Sequence, residues 1–398
     1  MKIKYGSDTL TSFAVCYIMF FEYVNYFAHS VLKVLGLTIY NVTITLVAVV
    51  LAFLLYLIVK HQTTILPALA LPIIVTSLYF ISIWMNSEGA EYIQKAVAEK
   101  LFLYCIPTYI AVRAISNYEN FYDMLGKFST LILIAEILAI LCMTYFPERF
   151  VHTDYQGISY GLLIPFIYFV GKEKYNGRII AVIALIAFLL VFFGGRGPIL
   201  CALICVLYKL LLNSNKKIFW TFFVLVFGFL FVSFYDVLLD WVVRISSEYS
   251  FAGSIAKYAE MGDVFSDSGR GDILDFAKNI IKERPWGSGF GSTRYILGVF
   301  GYKYGNYPHN IFYEFWCDYG VIVGTILLIV LIISMFKTFR RKDVNKSATA
   351  LFEICFFSTG FLILIFSSSY IFSPLFFAML AIMQNITKEF KNRNIINT

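Results

Sequence analysis

The sequence predicts an all-α polytopic membrane protein of about twelve transmembrane helices, with one large extracytoplasmic loop containing amphipathic helices between spans nine and ten. Three observations predict it. Of the 398 residues, 60% are hydrophobic and only 14% charged, and the mean hydropathy is +0.76, far from a soluble globular composition. Apolar runs of roughly 17 to 25 residues, each enough to cross a hydrocarbon core of about 30 Å as helix, recur along the chain. Those runs are continuous rather than alternating, which favours helices over barrel strands.

The runs lie near 10 to 30, 38 to 59, 64 to 85, 96 to 115, 127 to 146, 156 to 171, 178 to 194, 197 to 212, 217 to 240, 310 to 335, 349 to 367 and 370 to 387. The sixth and eighth are short, and only a Ser-rich turn separates the last two. With a cytoplasmic amino terminus, the inner loops collect most of the basic residues, among them Lys2, Lys4, Lys60, Arg113, Lys337, Arg340, Arg341 and Lys388. The short outer loops receive only Lys33, Lys95, Lys100, Arg149 and Arg196. This is the positive-inside pattern, so both termini are expected in the cytoplasm and the long loop outside. The net charge of +7 therefore reads as topology and attraction to anionic lipid, not as nucleic-acid binding.

Lys2 and Lys4 precede a long first span without a small-residue cleavage site, so that span is expected to be retained. The seven cysteines fall in or beside spans, which indicates neither a disulfide framework nor a thiolate metal site. Cys201 and Cys205 share a helix face and are expected to pack. The whole chain, 1–398, reads as one integral membrane domain with the loop at 241–308 inside it.

That loop is where chemistry is expected, since it is the only long polar interval. From Asp272 to Glu283 the apolar residues Ile273, Leu274, Phe276, Ala277, Ile280 and Ile281 share one helical face, with Asp272, Asp275, Lys278 and Lys282 elsewhere. Ser268 or Gly269 suits its start, and Pro285 ends it. A weaker helical pattern runs from about Ile245 to Met261.

Three residues fall at one predicted membrane face: Arg196 in the Gly-rich turn between spans seven and eight, Arg270 at the entrance of the loop helix, and His309 at the outer end of span ten. Two guanidiniums and an imidazole are a suitable inventory for a diphosphate, because Arg binds phosphate oxygens bidentately and keeps its charge. Other readings stand beside this one. Arg196 can anchor at the interface, Arg270 can pair with Asp267 or Asp272, and His309 can serve as a cap. Trp286, Phe290 and Tyr295 suit sugar stacking or the bilayer interface equally.

Taken together, the Gly-Arg-Gly turn at 195–197, Gly-Arg at 269–270, Arg-Pro-Trp-Gly-Ser-Gly-Phe-Gly at 284–291 and Pro-His-Asn at 308–310 resemble the bacterial O-antigen polymerase and O-antigen ligase superfamily, mainly over 190 to 335. The resemblance implies a metal-independent glycosyltransferase without a cofactor, acting on polyprenyl-pyrophosphate-linked saccharides at the outer face of the cytoplasmic membrane. It implies Arg196 and Arg270 on the donor pyrophosphate and His309 at the transfer centre. Trp286, Gly287, Gly289 and Asn310 would shape the pocket, with Arg244 and Arg284 as reserve phosphate ligands.

The implied partners are the lipid-linked oligosaccharide donor and acceptor and membrane lipid; a chain-length regulator is left open, and nucleic acid is not expected. Between the two activities, richness in Phe and Tyr favours a polymerase over a ligase acting on lipid A core. A flippase for the same lipids is the rival class, with Glu22, Glu136 and Glu353 as intramembrane carboxylates. The chain lacks the matching halves common in transporters, and these glutamates are expected to be interhelical hydrogen-bonding groups.

Overall fold

The computed structural model describes residues 7–36, 66–115, 117–150, 152–193, 196–213, 270–303, 305–341 and 344–396. Among the described residues the regular elements are all helical. Four stretches among the described residues are long and apolar enough to cross a membrane: Ala68–Met85, Tyr118–Tyr145, Val321–Arg340 and Lys346–Phe366. Shorter apolar helices cover Gly157–Val170, Gly177–Val191 and Gly197–Leu211. The predicted spans near 38 to 59 and 217 to 240, the second loop helix from about Ile245 to Met261, and Arg244 lie outside the described residues.

The chain divides into two compact units, with the division falling after Leu125 inside the helix Tyr118–Tyr145. One unit comprises Phe21–Ile39 and Gly126–Ser266. Its helices approach closely where glycine leaves room. A Cβ on Gly126 would stand 2.2 Å from the Tyr168 hydroxyl, and one on Gly157 would stand 2.5 Å from that of Tyr26. Small residues are what allow membrane helices to pack this tightly. Beside Gly161 lies Glu136, wholly buried, whose two carboxyl oxygens have no hydrogen-bond partner among the described residues. Among the described residues the expected interhelical hydrogen bond of Glu136 is therefore not formed.

The other unit comprises Met1–Phe20, Tyr40–Leu125 and Asp267–Thr398. The last helix, Pro374–Ile396, packs along Ile106–Arg113 and Lys346–Phe357. Polar side chains fix that contact. Asn385 donates to the Val112 carbonyl at 3.1 Å and meets the Tyr118 hydroxyl at 2.6 Å, while the Tyr109 hydroxyl donates to Gln384 at 2.6 Å.

Two differences from the sequence reading matter for the site. The expected tenth span, 310 to 335, is broken: a short helix Ile311–Tyr319 ends at Gly320, and a separate helix Val321–Arg340 makes the crossing. Gly320 has φ +80°, and a Cβ there would stand 2.5 Å from the Trp286 carbonyl carbon. Only glycine combines that backbone angle with so close a neighbour. The loop helix runs from Arg270 to Glu283, in agreement with its periodicity. Ile273, Ala277 and Ile280 are buried in a cluster with Ile296, Leu297 and Cys317, whereas Asp272, Asp275 and Lys278 are exposed. Its apolar face is turned to protein.

Candidate functional site

The polar loop between Arg284 and Asn310 is shaped by its glycines. Gly287, Gly289 and Gly291 all have positive φ, at 88°, 103° and 73°. Gly287 passes so close to the end of the short helix that a Cβ would lie 2.4 Å from the Gly320 nitrogen. This close approach lets the loop satisfy carbonyls that a helix terminus leaves open. Ser288 N–H donates to Cys317 O and Gly289 N–H to Asp318 O, both at 2.9 Å, while Val321 N–H returns a bond to Pro285 O at 2.9 Å. On the loop's far side, the Asn86 side-chain amide donates to Ser288 O at 2.8 Å. Gly287 and Gly289 thus serve to seat the loop, and Trp286 is left 80% exposed beside them. Arg284 is half-buried at the end of the loop helix.

Beneath this loop lies a buried charged network that sequence reasoning missed. Arg294 and Glu314 form an ion pair of 2.8 Å with both side chains at 0% exposure. Ser369 joins them, donating to Glu314 at 2.6 Å and accepting from Arg294. The guanidinium also faces two rings, with its Cζ 4.5 Å from the centre of Phe372 and 5.3 Å from that of Tyr307. Such placement supplements the single carboxylate by cation–π attraction. One helical turn beyond Glu314, Asp318 accepts from Gly291 N–H at 3.1 Å, from the Tyr370 hydroxyl at 2.9 Å and from the Thr293 hydroxyl.

Two buried carboxyls therefore stand one turn apart on a helix that ends before the crossing helix begins, Glu314 bonded to Arg294 and Asp318 to Gly291, Thr293 and Tyr370. Burial raises the pKa of Glu314 to about 6, against a lowering by Arg294. Burial likewise raises that of Asp318, again opposed by Arg294. A signal for this network was present in the sequence. Glu314 and Asp318 stand four apart in an apolar run, the spacing of one helix face, and a pair of carboxyls there calls for a cation nearby.

His309 sits at the edge of the network. Its backbone is left-handed, with φ 55°, a conformation that costs a non-glycine residue roughly 1–2 kcal/mol. The imidazole lies against Tyr307 at 4.2 Å between ring centres, and Tyr307 in turn covers Arg294. The next residue fixes the turn. Asn310 caps the short helix by accepting from Phe312 N–H at 3.0 Å and Tyr313 N–H at 3.3 Å, and it donates to Ile365 O at 3.1 Å. An Asn cap of this kind contributes about 1 kcal/mol.

The sequence-predicted residues thus divide. His309, Asn310, Gly287, Gly289, Trp286 and Arg284 all belong to the unit that contains the buried network. Arg270 belongs to it too, as first residue of the loop helix. Arg196 opens the helix Arg196–Asn213 in the other unit.

Taken as a class, this is an all-helical, multi-pass membrane protein whose polar loop is locked over a buried ion pair and presents a conformationally constrained histidine. Residues 180–329 match the family model described as O-Antigen ligase, in line with the resemblance carried by the motifs between 195 and 310. The matched stretch contains the glycine run, His309 and all of the network except Ser369, Tyr370 and Phe372. No curated protein and no solved structure matches the chain.

Proposed function

We propose that the protein is a polysaccharide polymerase of O-antigen, capsule or exopolysaccharide, joining polyprenyl-pyrophosphate-linked oligosaccharide units at the outer face of the bacterial cytoplasmic membrane, with both termini in the cytoplasm. The observation that carries the reading is the left-handed His309, pinned between the Tyr307 ring and the Asn310 cap. Strain held at a titratable residue by neighbours on both sides is characteristic of functional positions.

In this reading an acceptor sugar hydroxyl attacks the anomeric carbon of the donor. The new C–O bond forms as the bond to the lipid diphosphate breaks, and the hydroxyl proton passes to His309 in the same step. The departing diphosphate carries away the electron pair. Arg196 and Arg270 stabilise its charge, a task suited to guanidiniums, with Arg244 and Arg284 in reserve. Attack from the face opposite the leaving group inverts the anomeric centre. No metal or cofactor is invoked. Trp286 stacks on a sugar ring in this reading, and its exposure beside the glycine run supports that role.

The family description favours a second reading, an O-antigen ligase that uses the same donor and transfers the glycan to lipid A core. Reconstitution of the purified protein with lipid-diphosphate repeat units separates the possibilities. A ladder of lengthening products supports the polymerase, transfer only onto lipid A core supports the ligase, and translocation without bond formation overturns both in favour of a transporter. Substitution of Arg196, Arg270 or His309 by Ala is expected to abolish product while the protein remains in the membrane. Normal product from all three variants would refute the site.

A further inference from the structure

A cavity of about 900 Å³ opens along the second unit described above, between the helices Leu66–Met85, Val321–Arg340 and Pro374–Ile396. Its two ends differ in chemistry. Near the polar loop the walls are aromatic, with Phe290, Phe315, Tyr319 and Tyr370. The middle is aliphatic, contributed by Ile74, Leu78, Leu327 and Val330 among others. The far end carries Lys337, Arg341, Lys388 and Lys391, and among the described residues no Asp or Glu lines the cavity.

These four cations are not ion-paired among the described residues. Arg341 is nevertheless held in place. Its Nη1 donates to the Thr387 hydroxyl at 3.0 Å, and its guanidinium lies 4.3 Å from the centre of the Phe390 ring. The nearest acidic residue on the last helix, Glu389, is taken up by Asn345, whose amide approaches its two oxygens at 3.4 and 3.3 Å.

The geometry points to a binding site for an anionic phospholipid, with acyl chains along the aliphatic wall and the phosphate among Arg341, Lys337, Lys388 and Lys391. Charge complementarity carries the assignment. A held guanidinium with neighbouring ammoniums is a phosphate-binding inventory, and the wall below it is apolar. Length agrees as well. From Leu327 to Arg341 the helix advances roughly 21 Å at 1.5 Å per residue, more than the ~15 Å hydrocarbon depth of one leaflet. A phospholipid whose headgroup lies at the basic end therefore fits within the groove. The ligand belongs to the leaflet on the side opposite the polar loop and is distinct from the glycosyl donor of the proposed reaction.

Native mass spectrometry of the full-length, detergent-purified protein tests this with phosphatidylglycerol and phosphatidylcholine of identical chains. The wild type is expected to retain phosphatidylglycerol at about tenfold lower lipid concentration. Arg341→Gln with Lys388→Gln should abolish that selectivity, because about fivefold for each charge lost exceeds the tenfold preference when two are removed. Arg341→Lys, which preserves charge, should keep it, and Val330→Trp should reduce retention of both lipids by filling the aliphatic wall. Equal retention of the two lipids by the wild type, or unchanged selectivity in the double Gln variant, would overturn the assignment. So would displacement of phosphatidylglycerol by a polyprenyl phosphate in the Arg341→Gln/Lys388→Gln variant as readily as in the wild type.

Discussion

Arg294 and Glu314 meet at 2.8 Å with neither side chain reaching solvent, and this pair ties the polar loop to the short helix that follows His309. Breaking a buried pair strands a charge, at a cost of about 3–5 kcal/mol. Arg294→Met is therefore expected to lower the thermal midpoint of the detergent-solubilised protein sharply. Arg294→Met with Glu314→Leu should be less damaging than the two single losses added together. Strict additivity in that double-mutant cycle would show that the pair does not couple the two elements.

Stability should depend on pH through the same carboxyls. Burial raises Glu314 from 4.5 to about 6 in the folded protein, so the folded state binds more protons than the unfolded state across that interval. The associated stabilisation is fully present below about 4.5 and is lost as pH rises through about 6. Thermal midpoints measured from pH 4.5 to 7 should fall with pH in the wild type and flatten in Glu314→Gln. Superimposable profiles would remove Glu314 as the cause.

His309→Gly separates backbone from chemistry. Glycine adopts φ 55° freely, so the loop should keep its shape and the protein its stability, or gain up to about 1 kcal/mol. Product formation in the reconstituted system should nevertheless be lost. Activity near the wild-type level in this variant would show that the imidazole is dispensable and that only the turn matters.

Gly287→Ala and Gly320→Ala should each destabilise the protein by more than about 2 kcal/mol, because each adds a strained φ to an overlap with backbone atoms that cannot swing aside. Gly177→Ala, where a Cβ meets nothing within 4 Å, serves as the control. A midpoint for Gly287→Ala equal to that of the control would mean that the loop is not seated on the short helix as described.

Much of this fold was legible because hydropathy and periodicity are local signals. The loop helix was read from the recurrence of Ile273, Ala277 and Ile280, and these are its buried residues. The glycine run is visible in the sequence but its seating is not, since the partner backbone at Gly320 lies 33 residues further along than Gly287. Asn310 looked like a pocket residue and is the cap of the helix behind His309. Arg294 gave no sequence cue of its own, because a single arginine in a polar loop is ordinarily solvated.

The sequence by itself determined that the chain is helical and embedded in a membrane, since transfer of apolar side chains and satisfaction of backbone hydrogen bonds depend on composition and local repeat alone. It also determined where the polar loop lies and which face of its helix is apolar. Only the tertiary structure decided that Arg294 would meet Glu314 and Ser369, partners 20 and 75 residues away, and that the expected tenth helix would break at Gly320. Those outcomes depend on which segments return to one another, and a buried charge is tolerated only where that return supplies its counter-ion.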